Sequence, residues 1–331
     1  MVSEWIIGEA ERLGFDACGI ASATALEEES AHVEQWLEVG HEGEMGYLTR
    51  NKEKRYDPRL LVEGTKSIVT VLYNYFPKQP VGDGEHFKIA KYAYGADYHD
   101  VLKRKMRQLL ERIETQTGKL EGTRIFVDSA PVLDRAWAVR CGLGFIGKNT
   151  TLIHPLMSFT ASRGQTHEKE QTAGRSLRQC GGSFFFIGHL FLPLELEETG
   201  KPMPNHCGRC TKCLDACPTG ALEAPFHIDA RKCISYLTIE YKGSLADLTP
   251  KTFKGWMYGC DICQDVCPYN RFSLHNMEPE FQPSEQLLAM QEDDWKNLTK
   301  ADFEALFKHS AMQRAGYEGL KRNIDFISKE N

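Results

Sequence analysis

The chain has no long apolar run. Its strongest, Phe184 to Leu194, falls far short of a membrane-spanning helix and carries His189. Positive charge is not in excess: 40 Lys and Arg stand against 46 Asp and Glu, a formal net charge of −6. That excludes a surface coated uniformly by nucleic acid and leaves room only for local basic patches. The N-terminus, Met1-Val2-Ser3-Glu4-Trp5, lacks the basic stretch and apolar core of a secretory signal. A cytoplasmic protein with reduced thiols and no membrane association is therefore expected. No internal repeat is visible apart from a doubled cysteine run. At 331 residues, with 41% hydrophobic and 26% charged side chains, the chain is long enough for two or more domains.

Cysteine is what the chain does have. Eight of its eleven cysteines lie between 207 and 267. The first run is Cys207-x2-Cys210-x2-Cys213-x3-Cys217-Pro218; the second is Cys233, then Cys260-x2-Cys263-x3-Cys267-Pro268. Each iron of a cubane takes one outer thiolate, so eight thiolates suit two [4Fe–4S] clusters. In two-cluster ferredoxins the cysteine before proline ligates the other cluster. That rule assigns Cys207, Cys210, Cys213 and Cys267 to one cluster and Cys217, Cys233, Cys260 and Cys263 to the other. Cys233 stands apart from its triplet. Structural zinc also uses CxxC pairs, but seldom a doubled x2, x2, x3 run ending in proline.

The remainder reads as a mixture of helices and strands. Trp5, Ile6, Ala10 and Leu13 form a helical stripe, stopped at Gly14. Cys18–Ala21, Ser67–Tyr73, Arg124–Asp128 and Phe184–Ile187 read as strands. Tyr98–Gln116 reads as a surface helix with Leu102, Met106, Leu109 and Ile113 inward, and 132–141 as another helix. The mixture fits an α/β or α+β arrangement, taken here as α+β. Residues 157–182 have little periodicity and read as an inserted loop. Domains are expected at 1–200, 201–275 and 276–331, the last a helical segment.

Chemistry outside the cysteines concentrates in three places. Asp128 and Ser129 close a strand, where ligands meet α/β domains. Asp134 follows the apolar pair Val132-Leu133 and leads into Arg135 and Trp137; it is either a general acid or a helix-capping or ion-paired Asp. Gly142-x-Gly144-x2-Gly147-Lys148-Asn149 resembles a phosphate loop but has Asn149 where Ser or Thr should hold magnesium, so a turn that admits a bulky cofactor is preferred. Asp97-Tyr98-His99 is a polar-aromatic cluster, with His99 either a donor to a ligand or a helix-start residue. Cys18 reads as core. Cys141 either packs or faces a cofactor.

Taken together, Gly43-Glu44-Met45-Gly46-Tyr47-Leu48, Asp97-Tyr98-His99, Val127 to Arg135, Gly142 to Thr150 and the two cysteine runs resemble the epoxyqueuosine reductase family, over about residues 5–275. The resemblance implies a nitroreductase-like domain that holds cobalamin against a two-cluster ferredoxin-like domain, as in the related reductive dehalogenases. It implies reduction of epoxyqueuosine to queuosine at the wobble position of tRNA with a GUN anticodon. Asp134 falls at the proton-donor position. Candidate cofactor contacts are Asp97, Tyr98, His99, Asp128, Ser129, Arg135, Cys141, Gly144, Lys148 and Asn149. An external low-potential donor of flavodoxin or ferredoxin type and a monomeric state are expected. Lys52, Lys54, Arg55 and Arg59, and Lys103, Arg104, Lys105 and Arg107, are two basic clusters able to meet phosphates or simply to solvate the surface. The chain departs from the family at 157–182, at His189, where relatives usually carry a glutamate, and in lacking a full HEAT-like repeat. A reductive dehalogenase or other cobalamin reductase, and a ferredoxin-type carrier without catalysis, are the competing readings.

Overall fold

The structure, a computed structural model, describes residues 2–81, 86–155 and 180–330. Most of the expected insertion at 157–182 lies outside the described residues. The strands are β1 (Ala17–Ser22), β2 (Ser67–Asn74), β3 (Lys88–Ile89), β4 (Arg124–Phe126), β5 (Phe145–Ile146), β6 (Leu152–Ile153), β7 (Phe185–Leu192) and β8 (Trp256–Tyr258). The α-helices are α1 (Val2–Arg12), α2 (Glu27–Glu38), α3 (Lys52–Tyr56), α4 (Pro58–Leu61), α5 (Tyr98–Thr117), α6 (Asp134–Arg140), α7 (Lys212–Ala216), α8 (Ile234–Ile239), α9 (Ile262–Asp265), α10 (Glu285–Ala289), α11 (Glu292–Lys296), α12 (Lys300–Phe307) and α13 (Gly316–Ile327). Among the described residues no helix is long and apolar enough to cross a membrane.

The main sheet has the order β1-β2-β7-β4, and every pairing in it is antiparallel. All eight residues of β2 are buried, which fits a central strand covered on both faces. Alternation sorts its side chains. Val69 and Val71 join Ile20 and Leu190 under α1 and α5, against Ile6, Ala10, Leu102, Met106 and Leu109. Ile68 and Leu72 join Phe191 on the opposite face, under Trp137 and Ala138 of α6. The stripe on α5 forms because its apolar positions recur at helical spacing. Asp97 caps this helix by accepting from the His99 amide, 2.9 Å away.

One cross-strand row decides how α6 seats. Gly19 lies opposite Thr70, and Thr70 opposite His189. A Cβ added at Gly19 would meet the Cys141 carbonyl oxygen at 2.4 Å. The bare glycine therefore lets the end of α6 descend onto β1.

A separate apolar core holds Met257, Tyr258, Trp295, Phe303, Phe307, Leu320 and Ile324. It also takes in Phe87, Ile89 and Ala93 from the first half of the sequence, because β3 pairs in parallel with β8. The C-terminal helices α10 to α13 pack here through Leu287, Trp295, Phe303, Phe307, Leu320 and Ile324. Lys91 adds a polar tie, 3.3 Å from Asp261 and 2.6 Å from Asp265, beside Cys260 and Cys263.

Gly19→Ala should lower unfolding stability by about 1–3 kcal/mol, the usual cost of overpacking a filled site. Gly8→Ala, in α1 with nothing within 4 Å of the added Cβ, should be neutral or stabilising by up to about 1 kcal/mol. Denaturant midpoints of the two variants test this, and equal midpoints would contradict the seating of α6 on Gly19.

Candidate active site

The eight clustered cysteines fall into two neighbourhoods. Cys207, Cys210, Cys213 and Cys267 line one cavity of about 300 Å³, with Lys148, Asn149, Tyr269 and Arg271 on its wall. Burial raises the Cys267 thiol pKa, and so do Cys207 and Cys210. Burial likewise raises Cys213, with Cys267 and Cys207 adding to it. In the second neighbourhood burial raises Cys233, Cys260 and Cys263. Cys217 raises Cys233 further, Cys233 and Cys217 raise Cys260, and Cys260 and Cys233 raise Cys263. All eight are free thiols.

Such groups repel one another as thiolates and need shared positive charge to ionise together. Zinc would draw its sulfurs around a single point, with Zn–S of about 2.3 Å. The first quartet rims a cavity. That donor set fits the outer thiolates of a cubane cluster, in which each sulfur meets a different iron.

The glycine loop acts locally. It leads into the β5–β6 hairpin, where Phe145 pairs with Ile153 and Ile146 with Leu152. A Cβ at Gly144 would meet the Ile153 carbonyl oxygen at 2.3 Å, so this glycine serves close backbone packing. The next residues reach the cysteine loops. Lys148 Nζ donates to the carbonyls of Gly208 and Cys210 at 2.8 and 3.0 Å. Asn149 is buried, and its amide donates to the Cys263 carbonyl at 3.4 Å. Arg135 donates to the Thr150 carbonyl. A chain of bonds thus runs from the start of α6 to the cysteine loops.

At the other side of α6 the structure gathers Asp97, Tyr98, His99, Asp128 and Ser129. Tyr98 donates its hydroxyl to Asp128 at 2.6 Å, and the His99 ring lies 2.6 Å from Asp97 and 3.7 Å from Asp128. Lys103 donates to the Ser129 hydroxyl at 3.3 Å. Asp128 has φ +54°, a left-handed conformation uncommon outside glycine. Burial disfavours the charged His99 ring, but its bonds to Asp128 and Asp97 outweigh this and raise it to about 9. Burial also opposes ionisation of Asp97, and its bonds to His99 reverse that and hold it low.

Asp134 opens α6, yet it neither caps the helix nor pairs with Arg135. The position before it, Leu133, makes no side-chain cap. Its carboxyl instead lies 3.1 Å from His189 Nε2. His189 is fully buried, and its Nδ1 lies 3.0 Å from the Thr70 hydroxyl. Thr70 is in turn 3.2 Å from the Cys141 thiol. Cys141 is thus a buried packing residue tied to the sheet, one layer beneath Asp134. Arg55 stands within the electrostatic field of Asp134; burial lowers its pKa and Asp134 opposes that. Sequence reasoning missed Thr70 and Arg55 as neighbours of Asp134. For Thr70 the available signal was a polar side chain amid the apolar middle of β2, matched by His189 in β7; Arg55, in the short helix α3, gave none.

Half of the side chains in the two basic clusters are ion-paired within the chain. Lys52 pairs with Glu34 at 2.6 Å, Arg59 with Asp57 at 2.7 Å, and Lys105 with Glu278 at 3.1 Å; Arg104 pairs with Glu280. Arg55 is only 7% exposed. Lys54 and Arg107 are exposed. Arg55 is therefore buried near Asp134 rather than part of the exposed basic surface.

The His99 cradle sets a pH window. With its pKa raised from 6.5 to about 9, His99 contributes its full stabilisation below about pH 6.5 and loses it as pH rises through about 9. An NMR titration should place the His99 midpoint near 9, and Asp128→Asn should lower it. A midpoint near 6.5 in the unaltered protein would contradict the cradle.

Known proteins resemble this chain in sequence and fold. Residues 206–270 match the family described as "4Fe-4S double cluster binding domain", and residues 55–129 match "Epoxyqueuosine reductase QueG, DUF1730". The epoxyqueuosine reductase of Cellulophaga algicola is 46% identical over 325 residues, covering 98% of this chain and 97% of that protein. That of Leadbetterella byssophila is 47% identical over 324 residues, covering 97% and 96%. A crystal structure of an epoxyqueuosine reductase with a tRNA-Tyr epoxyqueuosine-modified stem loop superposes with a TM-score of 0.82 at 28% identity, covering 98% of this chain and 80% of that one. A Bacillus subtilis epoxyqueuosine reductase, with its catalytic aspartate loop swung out of the active site, gives 0.79 at 28% identity and the same coverage. The mixed α/β fold, the paired cysteine quartets and relatives this similar along almost all of its length agree: the chain belongs to the epoxyqueuosine reductase family of oxidoreductases.

Proposed function

We propose that this protein reduces the epoxide of epoxyqueuosine in the anticodon of tRNA with a GUN anticodon to the alkene of queuosine. Two electrons and two protons enter, both carbon–oxygen bonds of the epoxide break, and the oxygen leaves as water. The observation that carries the reading is the seat of Asp134. Its half-buried carboxyl opens α6, and the next residue, Arg135, begins the bonds through Thr150 and Asn149 toward the Cys263 loop. A proton source and an electron source thus flank the same short segment. The relatives' names and the stem-loop complex of one of them support the substrate.

Cobalamin is the proposed partner of the clusters. The fit rests on Arg55, whose Nε is buried and has no hydrogen-bond partner among the described residues. A corrin is fringed with amides, and an amide carbonyl would satisfy such a donor. Asp97, Tyr98, His99, Asp128, Ser129 and Arg135 are proposed to hold the group, whereas Gly144, Lys148, Asn149 and Cys141 support the surrounding backbone. When bound, cobalamin supplies a strongly reducing cobalt centre for carbon–oxygen cleavage, fed one electron at a time. Breaking the first carbon–oxygen bond leaves an alkoxide-like oxygen, which Asp134 protonates as general acid. Lys148, bonded to two carbonyls of the first cysteine loop, holds that loop against the catalytic half. A flavodoxin- or ferredoxin-type carrier is the proposed external donor.

Anaerobically reconstituted protein, given a low-potential reductant and a stem loop bearing epoxyqueuosine, should convert it to queuosine with loss of one oxygen atom, read by mass spectrometry. No conversion by the fully loaded protein would overturn the substrate. Asp134→Asn should retain iron and cobalamin and lose about 10²-fold or more in turnover, the scale of a missing general acid. Turnover near that of the unaltered enzyme would move proton delivery to another residue.

A further inference from the structure

Two fully buried polar side chains in the central strands need partners: Thr70 and His189, each 0% exposed. Their register makes them direct cross-strand neighbours, and together they form a continuous hydrogen-bonded row with Cys141 on one end and Asp134 on the other.

The order of donors in this row is determined by its chemistry. Burial raises the Cys141 thiol to about 12, with its bond to Thr70 opposing only part of that rise. It therefore stays S–H and donates to the Thr70 hydroxyl oxygen at 3.2 Å, the shorter of its two contacts, the Ile68 carbonyl lying at 3.7 Å. The Thr70 proton is then left for His189 Nδ1 at 3.0 Å. A neutral imidazole that accepts at Nδ1 carries its proton on Nε2. That proton points at Asp134 Oδ1, 3.1 Å away. Among the described residues, the face is lined by the apolar Ile68, Leu72, Trp137, Ala138 and Phe191, Gly19 contributes no side chain, and the charged groups that act on Asp134 from outside the row are Arg55 and Arg135.

We infer that His189, set in its Nε2–H tautomer by Thr70, is a positioning residue for Asp134. It fixes Oδ1 and so presents Oδ2 as the oxygen that holds and releases the catalytic proton. It also donates to the carboxylate left behind, which stabilises the product of proton transfer more than its reactant. The bond further anchors the start of α6, because the strand bearing His189 is the rigid interior of the sheet while Asp134 lies just beyond the turn that follows β4. His189 is sealed from solvent, so it orients the acid rather than carrying protons to it. The kinetic part of this inference rests on the proposed reduction; the tautomer and its coupling to Asp134 do not.

The test uses the cluster- and cobalamin-loaded enzyme. His189→Leu, which removes both polar ends, should lower kcat by about tenfold or more and leave the KM for the stem loop within about twofold. His189→Gln keeps an amide donor near the Nε2 position and should restore most of kcat. Thr70→Val, which loses only the hydroxyl, should fall between them. Independently of turnover, 15N-histidine NMR of the oxidised protein should show His189 as the Nε2–H tautomer, with ring shifts that change in Asp134→Ala. An unchanged kcat in His189→Leu, equal losses in the Leu and Gln variants, or an Nδ1–H ring indifferent to Asp134→Ala would overturn the inference. If the unaltered enzyme does not reduce the stem loop, the substrate reading fails while the NMR experiment still decides the role of His189. If His189→Leu does not fold, the Gln and Val variants carry the kinetic comparison.

Discussion

Mutual repulsion among closely held thiolates constrains everything built around them. Burial and neighbouring sulfur oppose ionisation at Cys213, Cys233, Cys260, Cys263 and Cys267. The loops reach their working state only when a multivalent centre gathers the thiolates, which links metal binding to the order of this half of the chain. The first quartet draws on both ends of the segment, since Cys267 lines the same cavity as Cys207, Cys210 and Cys213. Cluster assembly therefore closes the polypeptide on itself. The parallel β3–β8 pair and the Lys91 contacts bring residues from the first half into the same closure.

The catalytic half meets that constraint through a short hairpin. β5 and β6 hold Lys148 and Asn149 against the cysteine-loop backbone, and Arg135 ties the first turn of α6 to the hairpin. On the other flank of α6, the Asp97–His99–Asp128–Tyr98 cluster collects charge that burial alone would suppress. Below it, the Gly19–Thr70–His189 row sets the depth of the helix and the orientation of its first carboxyl. Three different interactions thus converge on one seven-residue helix, which is why a single aspartate can be held accurately between a sheet and two cysteine loops.

How far this was legible in the sequence depends on how local each feature is. Cysteine spacing is local, so the cluster pattern could be read directly, as could α5 with its 3.6-residue stripe. β7 extends further than its first four aromatic and apolar residues suggested, because Gly188 and His189 look like interruptions until their partners are known. The His189–Asp134 contact spans 55 residues and the Thr70–His189 contact 119; no spacing rule anticipates either. Only the requirement that a buried polar group find a partner hints at them. The ion-pair partners of the basic clusters are hidden for the same reason. Glu34, Glu278 and Glu280 neutralise much of them from elsewhere in the chain, and Arg55 turns inward toward Asp134. The glycine loop resembled a ligand cradle, and the structure adds a local reason for Gly144, against which Ile153 packs.

The account stands most directly on metal stoichiometry. Protein purified and reconstituted without oxygen should carry about eight irons with matching sulfide and no zinc, and should bind cobalamin, altering its optical spectrum. One or two zinc ions per chain in place of iron, or a cobalamin spectrum that the iron-loaded protein leaves untouched, would contradict it.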